Sequence, residues 1–230
     1  MTSTTENRDC MEAMRTFPDK YFDLAIVDPP YGIGEDGSKN KTRGNKRAMA
    51  KDYKAFSGND KTPPPPEYFK ELFRVSKNQI VWGANHFMQN ICLGSPCWIV
   101  WDKHTEACDF ADCELAWTSF KTAVKKFDFT WSGFRQGDPK NKEERIHPTQ
   151  KPVALYKWIL QNYAKQGDKI LDTHLGSGSS RIAAYDMGFD FWGYELDSEY
   201  FEKQEQRFRA HVSKPVLFQP YEMYATGTLF

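Results

Sequence analysis

The sequence lacks a surplus of either charge and any long hydrophobic run. Its 230 residues carry 31 basic and 31 acidic side chains, so the formal net charge is zero. Balanced charge excludes a globally basic nucleic-acid coat, although a local basic surface can still exist. The longest apolar runs, such as residues 97–101, are far shorter than the ~20 residues of a transmembrane helix. We therefore expect no membrane partner.

Cysteines are few, and no export signal accompanies them. The chain has 5 cysteines, and the polar segment 1–8 has no apolar stretch of the kind found in signal peptides. Free thiols in a cytoplasmic protein are the expectation. A zinc site is the alternative use of four of them, Cys92, Cys97, Cys108 and Cys113. We expect no metal, because each pair is separated by four residues, whereas zinc ribbons and fingers usually separate theirs by two.

Short apolar segments alternate with helical patterns along the chain. This alternation, in a chain with 40% hydrophobic residues, predicts one α/β domain spanning residues 1–230. Strands are predicted at 22–27, 79–83, 98–101, 113–120, 126–131, 169–172 and 191–194. Helices are predicted at 67–75, 151–166, 179–187 and 197–211. We expect strands 113–120 and 126–131 to pair with each other, and Thr149 to cap the helix that follows it.

A glycine-rich turn follows the strand at 169–172. The segment Asp172-Thr173-His174-Leu175-Gly176-Ser177-Gly178-Ser179-Ser180 predicts a strand, a Gly-X-Gly turn and the start of a helix, and the next strand ends at Glu195. Glycines let the backbone approach a ligand, and an acidic residue at the end of the second strand typically binds ribose hydroxyls. The turn lacks the Gly-Lys-Ser/Thr of a phosphate loop and the third glycine of the dinucleotide fingerprint. With a strand before it, a helix after it and Glu195 at the end of the next strand, the turn predicts an adenosine-type cofactor, and an ordinary structural turn is the alternative explanation.

A second motif, Asp28-Pro29-Pro30-Tyr31, ends the first predicted strand. The Asp28 carboxylate and the Pro29 carbonyl can accept two hydrogen bonds from one amino group, and the Tyr31 ring can stack on a planar base. An ordinary strand-ending turn is the alternative explanation, because Asp-Pro commonly opens turns.

Together the two motifs resemble those of the S-adenosylmethionine-dependent amino-methyltransferases of DNA. The order, catalytic motif first and cofactor motif last, resembles the β class of that family. Three further stretches agree: Asn7-Arg8-Asp9-Cys10, His147-Pro148-Thr149-Gln150-Lys151-Pro152, and the phage-type segment Phe110-Ala111-Asp112-Cys113-Glu114-Leu115-Ala116-Trp117. The resemblance covers nearly the whole chain, and it is least specific at 34–63 and 133–145.

The resemblance implies a mostly parallel Rossmann-like methyltransferase sheet with helices on both faces. It implies transfer of a methyl group from S-adenosyl-L-methionine to the N6 amino group of adenine in double-stranded DNA after base flipping, within restriction–modification. Methylation of the N4 amino group of cytosine and a non-catalytic DNA-binding protein are the alternatives. The implied catalytic residues are Asp28, Pro29, Pro30 and Tyr31. The implied cofactor-binding residues are Asp9, Cys10, Asp28, His147, Thr149, Lys151, Asp172, His174, Gly176, Ser177, Gly178, Ser179, Glu195 and Leu196.

One position departs from the family pattern. Many members have Asp-Pro-Phe before the glycines, whereas this chain has Asp172-Thr173-His174. His174 therefore stands where an aromatic ring would pack on the methionine part of the cofactor. A buried structural histidine and a ligand contact both fit this position.

Basic residues concentrate between residues 39 and 54, where seven lysines and arginines face one acid, Asp52. Phosphate contacts supply most non-specific DNA affinity, so this stretch is the predicted DNA-binding segment. A solvated charged loop is the alternative explanation. We expect residues 34–63 to form a mobile loop that contacts DNA through Lys39, Lys41, Arg43, Lys46, Arg47 and Lys51. Residues 133–147 are a short candidate target-recognition loop. So small a recognition surface also suggests a homodimer, which would double it.

Overall fold

The computed structural model describes residues 1–34, 60–105, 111–132 and 135–214. The six predicted DNA-contacting lysines and arginines between residues 39 and 51 lie outside the described residues, as does most of the predicted loop 34–63. Within the described ranges, no helix is both long enough and apolar enough to cross a membrane.

The described residues form ten strands. The strands are β1 (Ser3–Asn7), β2 (Phe22–Val27), β3 (Ser76–Trp82), β4 (Trp98–Asp102), β5 (Cys113–Thr118), β6 (Lys125–Asp128), β7 (Trp131–Ser132), β8 (Arg135–Gln136), β9 (Lys169–Asp172) and β10 (Asp190–Glu195). Eight of them form one mixed sheet in the order β1-β10-β9-β2-β3-β5-β4-β6. The two short strands β7 and β8 form a separate antiparallel pair. Within the eight-stranded sheet, β5 alone runs against the other strands. The predicted mostly parallel α/β sheet is confirmed.

Helices cover both faces of this sheet. They are α1 (Cys10–Met14), α2 (Pro66–Val75), α3 (Met88–Ile91), α4 (Val153–Tyr163), α5 (Ser179–Asp186) and α6 (Ser198–Val212). Successive side chains of β2 point to opposite faces. Accordingly, Leu24 and Ile26 join the core under α4 and α5, whereas Ala25 and Val27 join the core under α1 and α2.

Sequence periodicity predicted most of the helices and strands but missed the first strand, β1. β2 and β9 have the predicted bounds, and both are buried apolar segments. β1 has the polar sequence Ser-Thr-Thr-Glu-Asn and lies at the sheet edge, where it pairs with β10 from Ser3–Phe191 to Asn7–Glu195. An edge strand needs fewer apolar residues, so periodicity gave no signal there.

Two local predictions were wrong. The strands predicted at 113–120 and 126–131 do not pair with each other, because β4 lies between β5 and β6. β4 is the more apolar strand and takes the interior position, while β6 is exposed and takes the edge. Thr149 does not cap the next helix, which begins at Val153 after Pro152. Its hydroxyl instead lies 3.1 Å from Nδ1 of His147.

Five parallel strands, β1, β2, β3, β9 and β10, end at the same edge of the sheet. The segments that follow them therefore lie side by side, as the carboxyl ends of α/β sheets commonly do around a ligand site. They contribute Asp9, Asp28, Gly83, His174 and Glu195, respectively. This edge places both sequence motifs in one region.

Gly83, directly after β3, gives a test of this edge. It has φ +67°, and a Cβ there would lie 2.0 Å from Cε1 of Tyr31. We expect Gly83→Ala to lower the free energy of unfolding by about 1–3 kcal/mol, because overpacking forces its neighbours to move. Gly94→Ala is the matched control, since a Cβ at Gly94 meets nothing within 4 Å. Equal urea midpoints for the two variants would contradict the expected clash.

Candidate active site

The Asp28–Tyr31 turn is held by Asp60, a residue far away in sequence. The backbone N–H groups of Tyr31 and Gly32 donate to Oδ1 of Asp60 at 2.6 and 2.9 Å. Pro29 is buried and Pro30 is half-buried. These contacts fix the direction in which the Asp28 and Tyr31 side chains leave the end of β2.

The Tyr31 side chain closes over Asp28. Its hydroxyl donates to Oδ1 of Asp28 at 2.8 Å. Its ring stacks on His86 with centroids 5.3 Å apart and planes 16° apart, and it packs against the backbone of Gly83. The structure therefore brings the two outer residues of the motif into direct contact.

Lys151 joins this pair from the segment before α4. Its ammonium lies 2.6 Å from Oδ2 of Asp28 and 3.1 Å from the Tyr31 hydroxyl. The ammonium also lies 3.2 Å from Oε2 of Glu114. The other oxygen of Glu114, Oε1, accepts a hydrogen bond from the Lys103 ammonium at 3.0 Å. Opposite charges thus alternate through Asp28, Lys151, Glu114 and Lys103. Lys151 was predicted to bind the cofactor, but the structure brings its ammonium to the catalytic motif.

Glu114 was not assigned a role from the sequence. It lies at the beginning of β5, and because β5 is antiparallel, its beginning lies at the edge where the parallel strands end. The available signal was a lone acid in the otherwise apolar strand pattern Cys113–Thr118.

Electrostatic interactions favour the charged forms of Glu114 and Lys151. Burial raises the pKa of Glu114, but the Lys151 and Lys103 charges outweigh burial and hold that pKa at about 2. Burial lowers the pKa of Lys151, but the Asp28 and Glu114 carboxylates outweigh it and raise the pKa. Burial raises the pKa of Asp28, and the Lys151 charge opposes that rise without cancelling it. The two acidic partners of Lys151 therefore differ, because the pKa of Glu114 lies below its ordinary value and the pKa of Asp28 lies above it.

The glycine turn after β9 is held by Glu195. The N–H of Gly176 donates to Oε2 of Glu195 at 2.7 Å, and the N–H of Asp197 donates to Oε1 at 2.9 Å. Gly176 and Gly178 have φ +50° and +71°, values that favour glycine. A Cβ at Gly176 would have one heavy atom within 4 Å, the carbonyl oxygen of His174 at 3.9 Å. The backbone at Gly176 therefore has open space where a side chain would lie.

Asp172, which is buried, and His174, which is half-buried, lie beside the turn. Oδ1 of Asp172 accepts the His174 N–H at 3.0 Å, and Oδ2 accepts the Ser180 hydroxyl. Burial, with the nearby Asp28 and Glu195 charges, raises the pKa of Asp172 to about 7. Burial lowers the pKa of His174 to about 4, so its imidazole is neutral at pH 7.

His174 also belongs to a chain of hydrogen bonds. Its Nδ1 lies 2.9 Å from the Thr173 hydroxyl, which lies 2.6 Å from the hydroxyl of Tyr68 on α2. The Tyr68 ring meets the His174 ring edge-on at 5.5 Å. Tyr68, which sequence analysis did not single out, therefore packs against the residue at which the chain departs from the family pattern.

Three further predicted cofactor-binding residues, Asp9, Cys10 and Leu196, lie just after the ends of β1 and β10. Oδ1 of Asp9 caps α1 by accepting the N–H groups of Met11 and Glu12 at 2.7 and 3.2 Å. Burial, with the charges of Asp9 and Glu195, raises the pKa of the Cys10 thiol to about 12. Leu196 is 64% exposed although it is large and apolar. An exposed leucine beside Glu195 offers a surface for a planar ring.

His147, Thr149, Ser177 and Ser179 lie toward α6. The His147 ring packs on Tyr200 at 4.3 Å. The Ser177 and Ser179 hydroxyls lie 3.1 Å apart, and Arg207 donates to the Ser177 carbonyl at 2.8 Å. His147 thus contacts α6 through Tyr200, and the serines contact α6 through Arg207, whereas Lys151 reaches Asp28.

No cysteine takes part in a group of possible metal ligands within the described residues. The one such group there is Asp102, His104 and Asp128, at the exposed ends of β4 and β6. Lys126 already pairs with both acids. Cys97 instead lies 3.2 Å from the Thr122 hydroxyl.

Comparison with known protein families agrees with this architecture. The family model of the N6 and N4 methyltransferases, described as DNA methylase, matches residues 81–206. Among curated proteins, the Type II methyltransferase M.HinfI of Haemophilus influenzae is 25% identical over 255 residues, covering 90% of this chain and 68% of its own length.

Solved structures share the fold. TTHA0409 from Thermus thermophilus, in complex with S-adenosyl-L-methionine, has a TM-score of 0.59 and 16% identity, with 93% of this chain and 98% of that chain covered. The cytosine-N4-specific PvuII DNA methyltransferase has a TM-score of 0.59 and 11% identity, with 98% and 91% covered. At these identities the likeness shows the fold alone.

The buried imidazole of His147 predicts a dependence of stability on pH. Burial, with the Lys151 charge, lowers its pKa to about 3, whereas an unfolded histidine titrates near 6.5. Below that pH the unfolded chain binds a proton that the folded chain does not, so stability falls as the pH decreases from about 6.5 toward 3. We expect His147→Gln to reduce the slope of unfolding free energy against pH by up to about 1.4 kcal/mol per unit. Thr149→Val, which keeps the imidazole, is the control, and equal slopes for all three proteins in urea unfolding would contradict the prediction.

Proposed function

The chain belongs to the DNA methylase family of N6 and N4 methyltransferases, and we propose that it methylates the N6 amino group of adenine in double-stranded DNA with S-adenosyl-L-methionine. The observation that carries this proposal is the meeting of Asp28 and the glycine turn at one edge of the sheet. β2 and β9 are parallel neighbours, and the Asp28 charge raises the pKa of Asp172. An amino group held at Asp28 therefore lies beside a ligand bound at the turn.

The cofactor site that we propose follows the turn from Asp172 to Ser179. The backbone at Gly176 and Gly178 would approach the methionine part, and Glu195 would accept hydrogen bonds from the ribose hydroxyls. The open space at Gly176 and the exposed Leu196 fit such a ligand. Asp9 and Cys10 would flank the adenine, His147 and Thr149 would support the turn, and His174 with Tyr68 would line the methionine side. When bound, the cofactor supplies an electrophilic methyl group on a sulfonium.

Asp28 would act on the target amino group. A carboxylate that accepts an amino N–H stabilises the positive charge that the nitrogen gains as the N–C bond forms and the S–C bond breaks. The amino nitrogen then loses a proton, so the product is the neutral methylated base. The Pro29 carbonyl would accept the second N–H, and the ring of Tyr31 would stack on the base. Stacking contributes about 1–3 kcal/mol per base, which offsets part of the cost of extruding the nucleotide from the duplex.

Adenine is the substrate that we propose, because the motif begins with Asp28 and the family resemblance then favours adenine. The N4 amino group of cytosine is the second candidate, since PvuII methyltransferase, which is N4-specific, shares the fold. A non-catalytic DNA-binding protein is disfavoured by the intact Asp28–Tyr31 turn and its buried ion network.

The proposed DNA-contacting parts of the chain are the basic segment between residues 39 and 51 and residues 133–147. The basic residues Lys39, Lys41, Arg43, Lys46, Arg47 and Lys51 would neutralise phosphates. Residues 133–147 would contribute to target recognition, and a second copy of the chain would extend the recognition surface. The protein would act in the cytoplasm, within a restriction–modification system, because M.HinfI is a Type II methyltransferase.

Two variants separate the roles of Asp28 and Glu195. We expect Asp28→Ala to lose nearly all methyl transfer to DNA while it keeps its affinity for S-adenosyl-L-methionine. Glu195→Gln should weaken cofactor binding by roughly one to two orders of magnitude, because a hydrogen bond to a charged group contributes about 1.5–3 kcal/mol. Calorimetry and transfer of labelled methyl groups measure the two effects. An active Asp28→Ala protein would place the chemistry elsewhere.

Mass spectrometry of the methylated DNA identifies the product. Random-sequence DNA methylated by the wild-type protein, digested and analysed by mass spectrometry, should contain N6-methyladenine. N4-methylcytosine in its place would establish the second candidate, and no methylated base would refute the proposed activity.

The basic segment has its own test. Replacing Lys46, Arg47 and Lys51 with alanine should weaken DNA binding and reduce the slope of log affinity against log salt by about one for each phosphate that the segment no longer neutralises. Cofactor affinity should not change. A triple variant with wild-type DNA affinity and wild-type salt slope would show that this segment does not bind phosphates.

A further inference from the structure

The Tyr31 hydroxyl makes two hydrogen bonds of opposite sense in the catalytic network. It donates to Oδ1 of Asp28 at 2.8 Å and accepts from the Lys151 ammonium at 3.1 Å. Asp28 and Lys151, themselves 2.6 Å apart, thus present an acceptor and a donor side by side. A base whose edge carries an amino donor next to a ring-nitrogen acceptor has the complementary pattern. Adenine has this edge at N6 and N1, and cytosine has it at N4 and N3.

We propose that Lys151 is a specificity-determining residue that donates a hydrogen bond to the ring nitrogen next to the target amino group, and that Glu114 is the positioning residue that holds the ammonium there. This inference rests on the proposed function, because it assumes that the amino group binds at Asp28. It concerns recognition of the base edge, which is separate from the role of Asp28 in methyl transfer.

The Lys151 ammonium can use one of its N–H donors for the hydrogen bond to the ring nitrogen of the base. A lysine ammonium carries three N–H donors, and in this structure they meet Asp28, Glu114 and the Tyr31 hydroxyl. When the ring of Tyr31 moves to stack on a base, its hydroxyl leaves Asp28 and Lys151 together. The amino group then replaces the hydroxyl at Asp28, and the ring nitrogen replaces it at Lys151. The Lys151 side chain is 4% exposed, so little water competes for the freed donor.

Glu114 determines where the ammonium lies. Its carboxylate lies between Lys151 at 3.2 Å and Lys103 at 3.0 Å, and its backbone is part of β5, which pairs with strands on both sides. A carboxylate on a rigid strand with both oxygens engaged has little freedom to move. Glu114 therefore fixes Lys151 without approaching the base itself.

The same pair of groups rejects a base with the opposite pattern. Thymine presents a carbonyl oxygen where adenine and cytosine have an amino group, and a ring N–H where they have an acceptor. Its oxygen would face the Asp28 carboxylate and its N–H would face the ammonium. The pair thus selects adenine and cytosine, the two bases whose Watson–Crick edge carries an exocyclic amine next to a ring acceptor.

The test removes the ring acceptor and keeps the amine. The substrates are two duplexes that contain the methylation site found by product analysis, one with adenine and one with 1-deazaadenine at the target position. The protein is the full chain with S-adenosyl-L-methionine, and single-turnover rates are compared. We expect the wild-type rate to fall about 10- to 100-fold on 1-deazaadenine, the range of a hydrogen bond to a charged group. Equal wild-type rates on the two duplexes would overturn the proposal.

Lys151→Met separates recognition from the intrinsic differences between the two bases. The change from adenine to 1-deazaadenine alters base pairing and amine reactivity equally for the wild-type protein and the variant. In the variant, the ratio of the rate on adenine to the rate on 1-deazaadenine should therefore fall to the value that these two effects alone produce. A ratio as large as that of the wild-type protein would overturn the role of Lys151. If the target is cytosine, 3-deazacytosine takes the place of 1-deazaadenine.

Glu114→Gln tests positioning and also serves if Lys151→Met fails to fold. It keeps the lysine and the shape of the side chain, so we expect a reduced rate ratio with unchanged cofactor affinity. Glu202→Gln, the same change on the exposed face of α6, is the control and should keep the wild-type ratio. A merely structural Glu114 would lower stability but leave the ratio unchanged. Absence of any methyl transfer by the wild-type protein would instead refute the proposed function.

Discussion

The ammonium of Lys151 between the carboxylates of Asp28 and Glu114 is the interaction on which the site depends. Each of these charges is largely withdrawn from water, and an unpaired buried charge costs several kcal/mol. The alternation from Asp28 to Lys103 gives every charge an opposite neighbour within 3.2 Å. The Lys151 charge therefore opposes the rise that burial causes in the pKa of Asp28, and it favours the carboxylate form that we propose as the acceptor for an amino group.

The reversed strand β5 makes this arrangement possible. Parallel strands supply the site from their carboxyl ends, so a residue near the beginning of a parallel strand would lie at the opposite edge. Because β5 is antiparallel, Glu114 near its beginning pairs with Trp101 near the end of β4. One reversal in the sheet thus brings an additional acid to the edge where Asp28 and the glycine turn already lie.

The cofactor side depends on backbone geometry and burial more than on ion pairs. Glu195 accepts two backbone N–H groups and so holds the glycine turn against the end of β10. Burial keeps the imidazole of His174 neutral, which suits the place beside a cationic sulfonium that we propose for it. The ring of Tyr68, from α2, supports that imidazole edge-on.

Sequence patterns predicted the strands β2 and β9, the glycine turn, the Asp28–Tyr31 motif and the resemblance to DNA amino-methyltransferases, because each depends on residues close together in the chain. The folded sheet was needed to reveal the place of the polar strand β1, the insertion of β4 between β5 and β6, and the partners of Lys151. The Lys151–Asp28 contact spans 123 positions. Local periodicity predicts which segments are buried, but a charged side chain finds its partner only through the order and direction of the strands that the whole sheet adopts.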